Sequence, residues 1–372
     1  MNRKAKICSR LGKKSKQTLK ILQCVASKEI DLLNLYLTEK CNLSCTYCFV
    51  CKKEHKSIDF NSAKKALNLL FKLSGNKNQL IVTLFGGEPL VEFDLIKKIV
   101  KYGQSLAKKE DKRIQFNLVT NGTLISREIA DFIKKNKMNV LLSMDGDALT
   151  QNLQRPFLDK KGSFSKALAG LKSLKKSLGK KLAINMVITP QTAENFYKNV
   201  LFFKSLGINK IAFNITYEDK WNKKSLDTFE REFNKVVSLW IQEYKKETIL
   251  WLQPLHHFIQ HKIDKKNRVF YWAHPCKDNR IAVSINGDIF PCHRMVAFKN
   301  YKLGNINNQF EERKLSKYLE EKNKLFKKYP LWGGCPALNY EKNKDICVPL
   351  ASFKKFYKIY QKGAERIISK VK

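Results

Sequence analysis

The sequence has 372 residues, 43% hydrophobic and 28% charged, a balance typical of a folded globular protein rather than a disordered or fibrous one. No apolar run approaches the roughly 20 residues of a membrane-spanning helix. The basic segment 1–27 lacks the apolar core and small-residue cleavage site of a secretory signal. We therefore expect a cytoplasmic protein, in which the ten cysteines are metal ligands or catalytic groups rather than disulfides.

The charge is strongly basic, since 72 Lys and Arg residues against 33 Asp and Glu residues give a formal net charge of +39. A field of that size attracts polyanions, which makes nucleic-acid binding one interpretation. However, the lysines are spread along the whole chain without an RNA-binding signature or an aromatic-interleaved basic stripe. A solvated basic surface is therefore the favoured interpretation.

After a basic extension at residues 1–30, short β-rich runs alternate with amphipathic helical stretches. The apolar patterns predict six strands, at Asp31–Leu37, Leu80–Phe85, Ile114–Thr120, Asn139–Met144, Leu182–Ile188 and Lys210–Ile215. Helical spacing predicts helices at Ser62–Leu73, Thr192–Leu206 and Ser225–Lys246. Apolar strands separated by helices indicate an α/β fold with a parallel sheet and right-handed crossovers. Six such units predict a partial (β/α)6 barrel over residues 31–250, with functional groups where the strands end.

The pattern changes at about residue 251, where we place the start of a second domain, residues 251–372. Arg280–Ile285, an Asn286-Gly287 turn and Asp288–Cys292 predict a β-hairpin. An amphipathic helix at Ala351–Ser369 closes the chain.

Three cysteines, Cys41, Cys45 and Cys48, follow the first predicted strand on one short loop. Each thiolate can bind one iron of a 4Fe-4S cluster, which leaves the fourth iron open to another ligand. A ferredoxin run from Cys45 is a poorer match, because its fourth position is His55 and no proline follows. A zinc knuckle would need a second ligand pair nearby.

The spacing Cys41-x3-Cys45-x2-Cys48, with Tyr47 before the last cysteine, resembles the radical S-adenosylmethionine (SAM) superfamily. The resemblance covers about residues 31–215. It implies that the open iron chelates SAM and that an electron passed through it cleaves SAM to a 5'-deoxyadenosyl radical.

Further motifs of that family follow at strand ends in the expected order. Gly86-Gly87-Glu88-Pro89 resembles the motif that binds the SAM amino group, and a carboxylate suits an ammonium while glycines allow close backbone approach. The resemblance implies that the residues binding SAM are Gly86, Gly87, Glu88, Asn121, Ser143 and Arg155.

The carboxyl-terminal region is similar to the SPASM or twitch extension, which holds auxiliary iron-sulfur clusters in radical SAM enzymes that modify peptides. The similarity rests on Cys276-x10-Gly287-x4-Cys292 and on the run Leu303–Ile306. The four-cysteine block of that extension is reduced here to its last member, Cys335. Its other three positions are occupied by Lys322, Leu325 and Leu331.

The resemblance therefore implies a SPASM/twitch-like module with one auxiliary 4Fe-4S cluster. Its ligands would be Cys276, Cys292 and Cys335, with Cys347 as the fourth ligand in place of a hairpin cysteine that the sequence lacks. A zinc site built from Cys276, Cys292 and His274 or His293 is the alternative.

Enzymes of the SPASM and twitch type act mostly on peptides or proteins, so the resemblance implies a peptide or protein maturase. His293 stands where sulfatase-maturing relatives carry an aspartate base; imidazole titrates near neutral pH and can accept a proton, although a structural role is the alternative. The basic surface favours a substrate with an acidic leader. An electron donor such as ferredoxin or flavodoxin is also implied.

Three other functions remain open from the sequence. They are a radical SAM enzyme acting on a small molecule, one acting on RNA, and a non-catalytic iron-sulfur or zinc binding protein.

Overall fold

The computed structural model describes residues 29–50, 55–179, 182–248, 250–263 and 278–371. Its centre is a run of six parallel strands that neighbour one another in chain order. They are β1 (Leu32–Thr38), β2 (Gln79–Gly86), β3 (Arg113–Thr120), β4 (Asn139–Ser143), β5 (Ala183–Ile188) and β6 (Lys210–Ile215). The predicted strands and the open (β/α)6 barrel are confirmed.

Helices connect these strands: α1 (Phe60–Leu73), α2 (Phe93–Lys109), α3 (Arg127–Lys135), α4 (Ala148–Gln154), α5 (Phe164–Leu178), α6 (Phe196–Ser205) and α7 (Lys223–Lys245). Helix α1 begins after Asp59, whose side chain accepts a 2.9 Å hydrogen bond from the Ser62 N–H and so caps the first turn. The helix predicted from Thr192 begins with a 3-10 turn, Ala193–Asn195, before α6.

Alternation along β1 separates the core from an interior cavity. Leu33, Leu35 and Leu37 are fully buried in the hydrophobic core, whereas Asn34, of opposite parity, lines the cavity. Burying each leucine stabilises the fold by about 1.5–3 kcal/mol. The strand sequence therefore fixes both the core and the face on which a site can form.

The chain after residue 250 extends both edges of this sheet. On one side β7 (Trp251–Gln253) pairs in parallel with β6 and leads into α8 (Leu255–Ile263). On the other side β8 (Arg280–Val283) pairs in parallel with β1 and forms the predicted antiparallel hairpin with β9 (Asp288–Phe290). The two-residue strand β10 (Gly304–Asn305) completes this edge.

Three further helices close the described chain: α9 (Glu312–Lys328), α10 (Pro336–Asn343) and α11 (Ala351–Val371). Helix α11 packs against α7 and α8 through buried aromatic rings, such as Phe356, whose centroid lies 5.1 Å from that of Phe229. These contacts fasten the end of the chain to the barrel. No helix within the described ranges is long and apolar enough to cross a membrane.

Candidate active site

A cavity of about 360 Å³ lies at the carboxyl ends of the barrel strands. The cluster-motif cysteines and every residue that the sequence assigned to SAM line it, together with the candidate base: Cys41, Cys45, Cys48, Gly86, Gly87, Glu88, Asn121, Ser143, Arg155 and His293. Residues spread over some 250 positions of sequence thus meet in one place. The cause is the parallel sheet, whose strands all end at the same edge.

The loop that carries the three cysteines is held by the last residue of α4 and by the segment that follows it. The Ser44 N–H donates to the Pro156 carbonyl at 2.8 Å, and the Thr46 N–H donates to the Gln154 carbonyl at 2.9 Å. Leu43, within the loop, is only 1% exposed. The loop is therefore fixed in the absence of any regular secondary structure of its own.

The chemistry of these thiols fits a cluster. Burial raises the pKa of the Cys45 thiol to about 11, although the Arg155 guanidinium acts in the opposite direction, so iron must displace a proton to bind. No three His, Cys, Asp or Glu side chains of the described residues could hold a single metal ion together. In a cubane each thiolate binds a different iron, which needs a wider arrangement of ligands.

Gly86 and Gly87 allow β2 to end directly against the cysteine loop. A Cβ on Gly86 would lie 2.2 Å from the Thr38 carbonyl oxygen, and one on Gly87 would lie 2.2 Å from the Lys40 carbonyl oxygen. These carbonyls accept hydrogen bonds from the N–H groups of Gly87 and Glu88, at 2.8 and 2.9 Å. The glycines therefore serve contact within the protein, in addition to the close approach to SAM that the sequence suggested.

Glu88 joins the ends of two neighbouring strands. Its carboxylate is 1% exposed and accepts hydrogen bonds from the Asn121 N–H at 2.7 Å, the Thr120 hydroxyl at 2.7 Å and the Leu90 N–H at 3.1 Å. Burial raises the pKa of Glu88 to about 7, against the effect of these three donors. The Glu88 carboxyl group, at the wall of the cavity, therefore has a pKa close to neutral pH.

Arg155 is held by an acidic partner that the sequence analysis missed. Its Nε lies 3.0 Å from Asp145 Oδ2 and its Nη2 donates to Asp145 Oδ1 at 3.0 Å. Burial disfavours the guanidinium, but the Asp145 carboxylate outweighs it and raises the pKa of Arg155. The available signal was an acidic residue directly after a predicted strand, in the run Ser143-Met-Asp-Gly146.

Asp145 also reaches the cysteine loop. It is completely buried and accepts hydrogen bonds from the Tyr47 hydroxyl at 2.5 Å, from Gln154 Nε2 at 2.8 Å and from the Val187 N–H at 2.9 Å. The Tyr47 ring in turn lies beneath the Arg155 guanidinium, 5.3 Å from it. One carboxylate thus ties together the cysteine motif, the arginine and β5.

Asn121 and Ser143 lie at the ends of β3 and β4. Asn121 Nδ2 donates to Asn42 Oδ1 at 2.9 Å, and Asn121 Oδ1 accepts from the Thr123 N–H at 3.0 Å, which links β3 to the cysteine loop. Ser143 is 9% exposed and lies at the cavity wall.

His293 brings the carboxyl-terminal region to the cavity. Its ring centroid lies 5.2 Å from that of Phe85 and 6.0 Å from that of Phe49, the residue after Cys48. Its carbonyl accepts a 2.7 Å hydrogen bond from the Tyr36 hydroxyl. The predicted base therefore faces the cysteine loop across two aromatic rings.

Two polar groups that the sequence analysis did not single out also face the cavity. Asn34 Nδ2 and Glu218 Oε2 are buried without a hydrogen-bond partner among the described residues. The other Glu218 oxygen lies 3.2 Å from Arg294 Nη2. Buried polar atoms without partners are uncommon in folded proteins, so they are expected to bind water or a ligand here.

The auxiliary cysteines are only partly brought together. Cys292 and Cys335 are buried, and burial together with the neighbouring Cys335 raises the pKa of Cys292 to about 11. Cys347 is half-buried, and its thiol donates to the Glu321 carbonyl at 3.3 Å. Cys276, like His274 of the zinc alternative, lies outside the described residues.

A lysine occupies one of the positions where the SPASM block would carry cysteine. Lys322, on α9, is 1% exposed and its ammonium forms an ion pair with Asp278. Leu325, one turn further along the helix, is fully buried. Position 322 therefore holds one partner of an ion pair, and position 325 holds a residue of the hydrophobic core.

Three comparisons bear on the identity of the chain. A model of the Radical SAM superfamily matches residues 35–231, just over half of the chain. An uncharacterized protein of Methanocaldococcus jannaschii is 34% identical over 206 residues, which cover 55% of this chain and 70% of that protein. A cysteine-type anaerobic sulfatase-maturating enzyme of Clostridium perfringens is 26% identical over 338 residues, which cover 82% of this chain and 88% of that enzyme.

The solved structure of anSMEcpe with bound AdoMet (SAM) and the Cp18Cys peptide has a TM-score of 0.75 to this chain at 23% identity. The match covers 91% of this chain and 98% of that one, which shows a shared fold. The chain is thus an enzyme of the Radical SAM superfamily, and this membership implies a 4Fe-4S cluster and SAM as cofactors.

Proposed function

We propose that the protein cleaves SAM to a 5'-deoxyadenosyl radical and uses it to remove a hydrogen atom from a side chain or α carbon of a peptide or protein. Cys41, Cys45 and Cys48 hold the cluster, which when bound supplies the electron for cleavage. Glu88 accepts hydrogen bonds from the SAM ammonium and Arg155 donates to the SAM carboxylate, because each offers the opposite charge. Asn121 and Ser143 complete the SAM contacts.

The observation that carries this proposal is that one cavity contains the whole cysteine and SAM set and, beside it, unpaired polar groups. Asn34 Nδ2 offers a donor and Glu218 Oε2 an acceptor. A peptide backbone presents both an acceptor and a donor, so it can satisfy these groups. The peptide in the anSMEcpe structure and the sulfatase-maturating relative support a substrate of this class.

His293 is the candidate proton acceptor of the reaction, because its ring lies at the cavity beside Phe85 and Phe49. His293→Ala should leave cleavage of SAM in place and lower the yield of modified substrate. His293→Asn separates the roles further, because it keeps a polar group of similar size but cannot act as a base near pH 7.

The auxiliary module is proposed to hold one 4Fe-4S cluster on Cys276, Cys292, Cys335 and Cys347. The burial of both Cys292 and Cys335, and the effect of Cys335 on the pKa of Cys292, support it. We expect about eight irons in the reconstituted chain, against about twelve for three clusters. Cys347→Ala should lower the iron content by about four atoms, whereas about four irons with bound zinc in the wild type would support the zinc site.

The test is anaerobic reconstitution with iron, sulfide and SAM, followed by mass spectrometry of candidate peptides with and without an acidic leader. A mass loss or crosslink in the peptide, matched by 5'-deoxyadenosine, supports the proposal. Cleavage of SAM that responds to a small alcohol or to RNA, and not to any peptide, would contradict the substrate class.

A further inference from the structure

Three exposed leucines lie close together in sequence on and after α4. Leu149, Leu153 and Leu158 are 64%, 54% and 53% exposed, more than any other leucine of the described residues. Leu149 and Leu153 are four residues apart on the helix, so their side chains share one face. Exposed apolar side chains that cluster in this way mark an interaction site rather than a random surface.

This segment is bonded directly to the outer side of the cysteine loop. The Leu158 N–H donates to the Asn42 carbonyl at 3.3 Å, and the Thr46 N–H donates to the Gln154 carbonyl at 2.9 Å. Thr46, between Cys45 and Tyr47, is exposed. Leu158 and the end of α4, the helix that carries Leu149 and Leu153, therefore adjoin the loop, and none of the three leucines lines the substrate cavity.

The surroundings of the leucines are basic. Lys160 and Lys161 are both exposed, and Asp159, which separates them from Leu158, pairs with Lys161 at 3.0 Å. Lys198, 65% exposed, pairs with the helix-capping Asp147 at 2.8 Å. The three lysines outnumber the two aspartates, and the net charge of +39 adds to this local excess, so this basic rim complements an acidic partner.

We propose that Leu149, Leu153, Leu158 and Thr46, with Lys160 and Lys161, form the docking surface for a small acidic electron-carrier protein of the flavodoxin or ferredoxin class. On docking, the carrier loses one electron and the cluster on the cysteine loop gains it, without transfer of an atom. The carrier reaches the loop from outside while the cavity stays open to SAM and substrate. The inference rests on the proposed function only for the cluster, and not for the peptide substrate.

The experiment compares the reconstituted wild type with the variant L149S/L153S/L158S. A recombinant acidic flavodoxin and a recombinant ferredoxin serve as carriers, and binding is measured by calorimetry and cluster reduction by loss of visible absorbance. We expect the Kd to rise and the carrier-driven reduction rate to fall by about tenfold or more. Reduction by dithionite, which needs no docking, should be unchanged. The control L201S changes a leucine that is 38% exposed on α6 and should behave like the wild type.

A second pair of variants isolates the charge. K160Q/K161Q should weaken carrier binding at low ionic strength, and the difference from the wild type should shrink at high salt because the rim is solvent-exposed. The matched control K108Q/K109Q removes two consecutive exposed lysines at the end of α2 and should have no effect.

Several outcomes would overturn the docking surface. They are equal Kd values for wild type and triple variant, no binding of either carrier to the wild type, and an equal loss of dithionite-driven reduction, which would show that the leucines support the loop. Loss of peptide modification with normal carrier binding would assign the surface to the substrate, and an altered oligomeric state would assign it to self-association. A wild type that fails to cleave SAM even with dithionite would instead contradict the proposed function.

Discussion

The barrel mouth and the carboxyl-terminal module differ in how firmly their functional side chains are held. At the mouth, Glu88 accepts three hydrogen bonds and Asp145 holds Arg155 and Tyr47, so each group is fixed by another. In the module, Cys292 and Cys335 are buried in the hydrophobic core, while the Cys347 thiol donates to the carbonyl of Glu321 on α9.

The difference follows from the backbone that supports each region. The mouth is built on the ends of adjacent parallel strands, whose register fixes the position of every residue. Cys292 lies between the three-residue strand β9 and a 3-10 turn, Cys335 lies in the loop that ends at α10, and the neighbouring strand β10 has only two residues. Sequence motifs therefore predict geometry better at the mouth than in the module.

The largest expected effect is loss of the cluster at the mouth. Replacing Cys41, Cys45 or Cys48 by alanine should abolish 5'-deoxyadenosine formation, because each loss removes a ligand from the cluster that reduces SAM. The amount of 5'-deoxyadenosine is measured by chromatography after anaerobic reconstitution. Cys51→Ala, just outside the motif, should keep nearly full activity; a reversal of this order would mean that the ligand set is wrong.

The next largest effect concerns the buried pair at the mouth. Asp145→Asn leaves the Arg155 guanidinium buried without its counter-charge, which should lower the free energy of unfolding by about 3 kcal/mol or more. Chemical denaturation of the protein measures this change. The control Asp131→Asn removes an exposed partner of Arg127, 3.8 Å away, and should cost less than about 1 kcal/mol. Equal costs for the two variants would show that the Asp145 network contributes no special stability.

Glu88 should make the free energy of unfolding depend on pH, by an amount similar to or smaller than the effect of Asp145→Asn. Its folded pKa of about 7 lies above the ordinary value of 4.5, because burial disfavours the carboxylate. Between these values the native state binds more protons than the unfolded state, so the contribution of Glu88 to the free energy of unfolding is fullest below pH 4.5 and falls as the pH rises to about 7. The fall is at most about 3 kcal/mol for the protein without SAM.

Glu88→Gln should remove the fall in the free energy of unfolding that Glu88 causes between pH 4.5 and about 7. The measurement is denaturation across this pH range. It should also weaken SAM binding more than it lowers iron content, because the thiolates are untouched. The control is Glu92→Gln: burial opposes ionisation of Glu92, but hydrogen bonds from Ser57 and Lys40 outweigh it and lower its pKa. Its contribution is therefore lost as the pH falls, with the opposite sign. An unchanged slope in Glu88→Gln would contradict the raised pKa.

The sequence predicts the fold and the site better at the barrel mouth than in the carboxyl-terminal module. The six strands and the meeting of Cys41, Glu88 and Arg155 were predictable, because apolar runs identify parallel strands and their ends share one edge. Asp145 was missed because a carboxylate after a strand can have many different partners. That it pairs with Arg155 depends on side-chain packing, which the sequence does not show. The unpaired Asn34 was missed because a polar residue inside an apolar strand shows its environment only once the sheet is built.

The smallest expected effect lies in the module, at the buried lysine. Lys322→Met keeps an unbranched side chain of similar length and removes an ammonium that is costly to bury, while Asp278, 38% exposed, can be hydrated. The free energy of unfolding should therefore change by less than about 1 kcal/mol. Asp278→Asn should cost more, about 2 kcal/mol, because it leaves the ammonium buried without its partner.

Iron content gives the second measurement on Lys322→Met. If the position no longer serves a cluster, the variant should hold the same amount of iron as the wild type, because neither lysine nor methionine at this place is a ligand of the proposed auxiliary cluster. Loss of about four irons in Lys322→Met would mean that the ion pair positions the cysteine ligands. A destabilisation as large as that of Asp278→Asn would show that Lys322 stabilises α9 by more than its charge pair.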